Sequence, residues 1–330
     1  MRKRVIPFIT ILASLFVIIA CSDDDDEVTL LGNWYEGSDF EGQPISSAAC
    51  FVLNNKAYII GGFDGDDFYQ DVWEYDSELD WWKNVSQFPG VARSSAVAFT
   101  INGKGYYGTG NDGDNKLKDF WEFDPNRDPQ WVQKADFGGT ARYGAVGCAI
   151  GNFGYIGTGY TNDGDSKDFW KYDPLTDTWQ QIVSIGGSKR REATCFVIDG
   201  LAYVGTGINN GAYQDDFWRF DPEKETWTEM EQLDADDSYT IVRSGAVSFT
   251  LNGKGYIGAG YSSGYSAEIW EYNPLTDLWN EVTGLEGSAR GDAVAFSIGE
   301  KGFVATGNNG SYYFDDIWIF NPAEEYDSDD

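Results

Sequence analysis

An all-β fold assembled from six copies of one unit is what the sequence predicts, on three observations. Aromatic residues make up 16% of the 330-residue chain, and its 40 glycines punctuate short runs rich in Tyr, Trp, Phe, Val and Ile, which is strand chemistry. The pattern acidic–apolar–Trp–x–aromatic–Asp/Asn recurs as DVWEYD, DFWEFD, DFWKYD, DFWRFD, EIWEYN and DIWIFN, with its tryptophans at Trp73, Trp121, Trp170, Trp218, Trp270 and Trp318. Upstream of each lies a glycine-rich run: YIIGG, YYGTG, YIGTG, YVGTG, YIGAG and FVATG. A repeat of about 48 residues with this regularity marks units that bury their faces against one another.

Taken in chain order, residues 1–20 stand apart. Arg2-Lys3-Arg4 is followed by an almost wholly apolar run from Val5 to Ala20, the layout of a secretory signal, and shorter than the ~20 residues that a membrane span needs. The ending Ile18-Ile19-Ala20-Cys21 resembles the lipobox of bacterial lipoproteins. That resemblance implies cleavage before Cys21, acylation of its thiol and a lipid anchor in the outer membrane, facing either the cell exterior or the periplasm. Residues 21–30, with Asp23-Asp24-Asp25-Asp26-Glu27, read as an acidic linker extended by its own repulsion. They are also similar to the surface-export signal of Bacteroidetes lipoproteins.

The repeats occupy residues 31–323, and 324–330 form an acidic tail. Within each unit an apolar strand leads through a tight turn, as at Asn102-Gly103, Asp199-Gly200 and Asn252-Gly253, into the glycine-rich strand. The Trp motif makes a third strand, and a fourth carries a second tryptophan: Trp82, Trp131, Trp179, Trp227 or Trp279. Four-stranded meanders of this kind are the blades of a β-propeller. The sixth unit lacks its fourth strand, while Gly32-Asn33-Trp34 at the N-terminus supplies one, so the ring is expected to close by pairing the two chain ends. On this reading the tryptophans are packing residues. The glycine-rich second strand, the tryptophan before Asp/Asn-Pro and the second spaced tryptophan resemble the kelch repeat, over essentially the whole of 31–323.

Strand parity places the entry to each first strand, the loop between strands two and three and the exit of strand four on one face, here called upper. Five arginines, Arg93, Arg142, Arg190, Arg243 and Arg290, precede the inner strands at equivalent positions, and Ile45 takes that place in the first blade. The expectation is a broken ring around the upper mouth of the central channel. Two roles stay open for it: fold-supporting donors to carbonyls, or a cationic mouth for a carboxylate, sulfate or acidic peptide. In some kelch propellers arginines so placed contact acidic ligands. Better candidates stand where the blades stop matching: Tyr143, bulky where its counterparts are small; Arg191-Glu192, in place of Ser-Ser or Tyr-Gly; and Asp292, where other blades have Ser95, Gly144 and Gly245. Upper-face loops hold Asp64, Asp66, Asp112, Asp114, Asp163 and Asp165, without the spacing of a calcium loop, and the tyrosines Tyr69, Tyr213, Tyr265 and Tyr312, read as exposed.

Charge and composition narrow the function. A net charge of −31 argues against nucleic acid as a partner. With no histidine, the copper chemistry of kelch oxidases and Ser-His-Asp catalysis are both excluded. No cofactor or metal is expected, and Cys50, Cys148 and Cys195 read as buried free thiols. The leading expectation is a monomeric, membrane-tethered module that binds an extracellular or periplasmic protein or glycan on its upper face. The alternative is an epimerase or mutarotase of an acidic sugar, with Glu192 and Asp292 as acid and base and arginines holding the sugar's carboxylate. It resembles the kelch-type sialic acid epimerases of Gram-negative periplasms.

Overall fold

In the computed structural model, which describes residues 30–235 and 239–327, six four-stranded antiparallel sheets follow one another around a channel. Blade one is β2 (Ala49–Leu53), β3 (Lys56–Ile60), β4 (Asp71–Asp76) and β5 (Trp81–Gln87). Blade two is β6 (Val97–Ile101), β7 (Lys104–Gly108), β8 (Phe120–Phe123) and β9 (Trp131–Lys134). Blade three is β10 (Val146–Ile150), β11 (Phe153–Gly157), β14 (Phe169–Asp173) and β15 (Thr178–Ile182). Blade four is β16 (Thr194–Ile198), β17 (Leu201–Gly205), β20 (Trp218–Asp221) and β21 (Thr226–Glu229). Blade five is β22 (Val247–Leu251), β23 (Lys254–Gly258), β24 (Ile269–Asn273) and β25 (Leu278–Val282). Two small hairpins, β12–β13 (Tyr160–Thr161, Gly164–Asp165) and β18–β19 (Ile208–Asn209, Ala212–Tyr213), sit in the upper loops of blades three and four.

Blade six combines both ends of the chain. β26 (Val294–Ile298), β27 (Lys301–Ala305) and β28 (Ile317–Glu325) are completed by β1 (Leu31–Glu36), with Trp34 opposite Phe320 and Leu31 opposite Glu325. The propeller therefore runs two residues past the expected boundary at 323. Trp34 is fully buried, its indole nitrogen donating to the Thr283 carbonyl at 3.0 Å. The expected signal, lipidated Cys21 and linker up to residue 29 lie outside the described residues.

Blade-to-blade packing explains the glycines of the second strand. Phe51, Phe99, Phe196 and Phe249, central in their inner strands, press on Gly105, Gly154, Gly255 and Gly302 of the next blade, where an added Cβ would enter the ring. Burial at this density leaves little slack for extra atoms. Blade three departs, with Cys148 in the Phe position. It is a free, buried thiol that meets Cys195 of blade four, also free but half-buried, as is Cys50. Twelve tryptophans pack within or between blades, whereas Trp81 is half exposed at 51%.

Candidate functional site

Six residues circle the upper mouth of the channel: Ser47, Ser95, Gly144, Glu192, Gly245 and Asp292. Each amide donates to the carbonyl of its counterpart in the preceding blade, closing a ring of six hydrogen bonds of 2.7–3.2 Å. All six adopt φ between 51° and 60°, a conformation that glycine takes freely and glutamate does not. Two blades nonetheless place a carboxylate there. Four of the six are not glycine, and the long side chain of Glu192 fits this conformation least, a strain that points to function.

The repeated arginines are not at this mouth, and the expectation of a cationic ring is corrected. Arg93, Arg142, Arg190, Arg243 and Arg290 are at most 2% exposed. In Arg142, Nε donates to the Thr140 carbonyl at 3.0 Å and Nη1 to the Thr158 carbonyl at 2.6 Å. Both Nη atoms grip the Asp168 carboxylate at 2.6 and 2.9 Å, and the guanidinium lies 4.9 Å over the Phe137 ring. Arg93 with Asp119, Arg190 with Asp216, Arg243 with Glu268 and Arg290 with Asp316 repeat the pairing. Those acids open the DFW, EIW and DIW motifs, and in four blades the motif's tryptophan also donates to the acid. The arginine thus ties each inner-strand entry to the third strand of its own blade. Buried and neutralised, it is out of a ligand's reach.

The four residues chosen because the blades stop matching do come together. Tyr143 lies 5.5 Å from Tyr160, ring centre to ring centre, and the Arg191 guanidinium sits 5.0 Å over Tyr160. Arg191 holds Asp165 at 2.9 Å and Glu192 at 3.4 Å. Burial alone would lower its proton affinity, but the hydrogen bond to Asp165 and the two carboxylate charges raise it overall. Lys116 approaches Tyr160 from blade two at 5.1 Å. Between the carboxylates, the alanines Ala48, Ala96, Ala145, Ala193, Ala246 and Ala293 wall a cavity of about 160 Å³ in the mouth.

Asp292 lines this cavity. Burial, and then the charge of Glu192, push its carboxyl up to about 7, against a hydrogen bond with Asn308. Because the native state keeps this proton between pH 4 and 7 while the unfolded chain loses it, Asp292 makes stability fall as pH rises through that window. Asp292→Asn is expected to stabilise the protein at pH 8 by about 2 kcal/mol, less than the full shift implies because the channel admits water, and to do little at pH 4. Urea unfolding at the two pH values measures this.

Tyr160 was not legible beforehand. It follows the glycine-rich strand, where the other blades have Phe63, Asn111, Ile208, Tyr261 and Asn308; that variability was the available signal. Of the tyrosines read as exposed, Tyr69 is held by Asp64 at 2.5 Å, Tyr213 by the Ser262 carbonyl at 3.0 Å and Tyr265 by Asn308 at 3.1 Å. Only Tyr312 of the four stands clear, at 70% exposure. Asp64 and Asp112 accept amides of their own loops, which is turn chemistry. Among the described residues no three metal-ligating side chains converge.

Kelch-motif models match residues 44–89 and 180–234. No curated protein is significantly similar in sequence. A solved structure described as that of YjhT superposes with a TM-score of 0.71 at 15% identity, over 85% of this chain and 96% of that one. At that identity the likeness is one of fold. Together with the blades traced above, the matches make this chain an all-β, six-bladed β-propeller carrying kelch motifs.

Proposed function

We propose that this propeller is a binding module and that its ligand, a glycan, docks at the upper mouth of the channel. One observation carries the reading: the residues that break the repeat meet at the mouth, where Glu192 and Asp292 line the cavity and Arg191, with Tyr143 and Tyr160, clusters beside Glu192. Tyrosine faces stack on the C–H faces of sugar rings, while carboxylates accept, and a guanidinium donates, hydrogen bonds to hydroxyls. With the repeated arginines committed to the scaffold, the mouth is net acidic, and it suits a neutral or amino-bearing sugar better than an acidic one. The sequence of residues 18–27 supports the rest of the proposal: tethering through lipid on Cys21 to a bacterial outer membrane, facing the exterior or the periplasm.

Glycan-array screening of the 28–330 fragment, followed by calorimetry on the best binder, tests this. Tyr160→Ala is expected to weaken binding at least tenfold, in line with the ~2 kcal/mol or more that truncating an aromatic hot spot costs. Absence of any glycan binder, or an unchanged affinity in this variant, would remove the mouth as the site.

Asp292, whose carboxyl burial and the charge of Glu192 push up to about 7, favours with Glu192 a second reading, acid–base mutarotation or epimerisation of a sugar. The acidic-sugar form of that reading has as its cations Lys116 and Arg191, the latter already paired with Asp165 and Glu192. Proton NMR of anomer exchange, with Glu192→Gln as control, decides it: no acceleration over buffer dismisses the activity.

A further inference from the structure

The arginine pocket exists in all six blades, but blade one does not fill it from within. Ile45 stands at the arginine position, and beside it lies a cavity of about 180 Å³ lined by Phe40, Gln43, Gly61, Asp71 and Trp73. Each has a counterpart around Arg93. There, Nε donates to the carbonyl two residues back, Nη1 to the carbonyl sixteen residues on, and both Nη atoms to the carboxylate twenty-six residues on. The guanidinium also covers Phe88, five residues back. The same offsets from Ile45 lead to Gln43, Gly61, Asp71 and Phe40.

The geometry is conserved along with the residues. Phe40 packs edge-on against Trp73 and Trp82 at 5.3 and 5.0 Å, as Phe88 does against Trp121 and Trp131 at 5.4 and 5.2 Å. The Gly61 amide donates to the Asp71 carbonyl at 3.3 Å, matching Thr109 and Asp119 at 3.2 Å. Asp71 has no arginine and takes a hydrogen bond from Asn84 on one carboxylate oxygen, at 2.9 Å. Exposed Glu41 and Gln43 stand at the rim, so the pocket is reachable and its field negative.

We propose that the blade-one cavity is a guanidinium-binding site, receiving from a ligand the group that the other five blades supply from their own arginines. A carboxylate, two carbonyls and an aromatic face together select a planar fork of donors over a compact ammonium. This site is separate from the channel mouth and does not depend on what binds there.

Calorimetric titration of the full chain with agmatine tests the proposal, with cadaverine, which keeps both positive charges but has an ammonium in place of the guanidinium, as the ammonium control and acetyl-Gly-Arg-Gly-amide as the peptide form of the same group. Agmatine is expected to bind at least tenfold more tightly than cadaverine. Ile45→Arg, which fills the pocket from within, and Asp71→Asn should each weaken agmatine at least tenfold. Glu300→Gln makes an equivalent charge change in the exposed turn between β26 and β27, and should leave it within twofold. Binding of the peptide as well assigns the group to a polypeptide ligand, and binding of agmatine alone assigns it to a small guanidine; either upholds the site. Equal affinity for the two amines, unchanged affinity in Ile45→Arg and Asp71→Asn, or no agmatine binding at millimolar concentration overturns it.

Discussion

Replacing Arg142 by alanine is expected to destabilise the propeller by about 3–5 kcal/mol, the cost of breaking one side of a buried ion pair. The side chain is 1% exposed, and its loss strands Asp168 and the Thr140 and Thr158 carbonyls together. Charge reversal at Arg142 or Arg190 would be worse, since it sets a second carboxylate against Asp168 or Asp216. A loss of ligand capture in such variants would report unfolding, not a vacated binding contact. The pH dependence follows from the same pair. Burial pulls the Asp168 and Asp119 carboxyls up, but their arginines outweigh it and hold both below the usual carboxylate range. Their contribution is therefore fully present above about pH 4 and fades as pH falls through the lowered native values. Urea unfolding of Arg142→Ala beside the wild type should show the large difference at pH 7 and a smaller one near pH 3.

Trp34→Ala is expected to cost a similar 3–5 kcal/mol, for a different reason. Trp34 sits on the strand that closes the ring, within 4.8 Å of Phe320 and in the cluster that also holds Phe249 and Tyr256. Removing it opens a cavity at the one seam where two distant parts of the chain meet. Trp81→Ala, at a half-exposed indole, is the control and should change stability by less than about 1 kcal/mol. If both variants behaved alike, closure through β1 would not be what holds the ring.

Most of the fold was legible because the repeat states it six times. Strand order, the turns at Asn102-Gly103 and its equivalents, and the shortfall in blade six follow from period and residue type. What the repeat hides is where a side chain points. The five arginines occupy one position before each inner strand, and sequence alone does not tell a guanidinium aimed at the channel from one folded back into its own blade. The partner was written in the motif all the same. The acid opening each DFW or DIW lies twenty-six residues after its arginine, and in blade five the spacing shortens to twenty-five with Glu268. Mismatch picked out residues that the fold brings close, since Arg191 pairs with Glu192 and the charge of Glu192 reaches both Tyr143 and Asp292. It had limits at loops that vary in every blade, where Tyr160 and Lys116 carry no contrast. The lone Ile45 was visible as an exception, but its meaning needed the other five pockets to be seen filled.

The claim at the centre of this account is that the repeated arginines build the scaffold while the residues that break the repeat meet the ligand. Glycan titration of two variants that keep their fold puts it to the test. Arg142→Lys, which retains the buried charge, should lose stability yet bind the array-selected glycan with wild-type affinity below its melting temperature. Glu192→Gln should keep its stability and bind at least tenfold more weakly, the size expected for one charged hydrogen bond. Full binding by Glu192→Gln together with lost binding by a folded Arg142→Lys would contradict the account and return the arginine ring to the site.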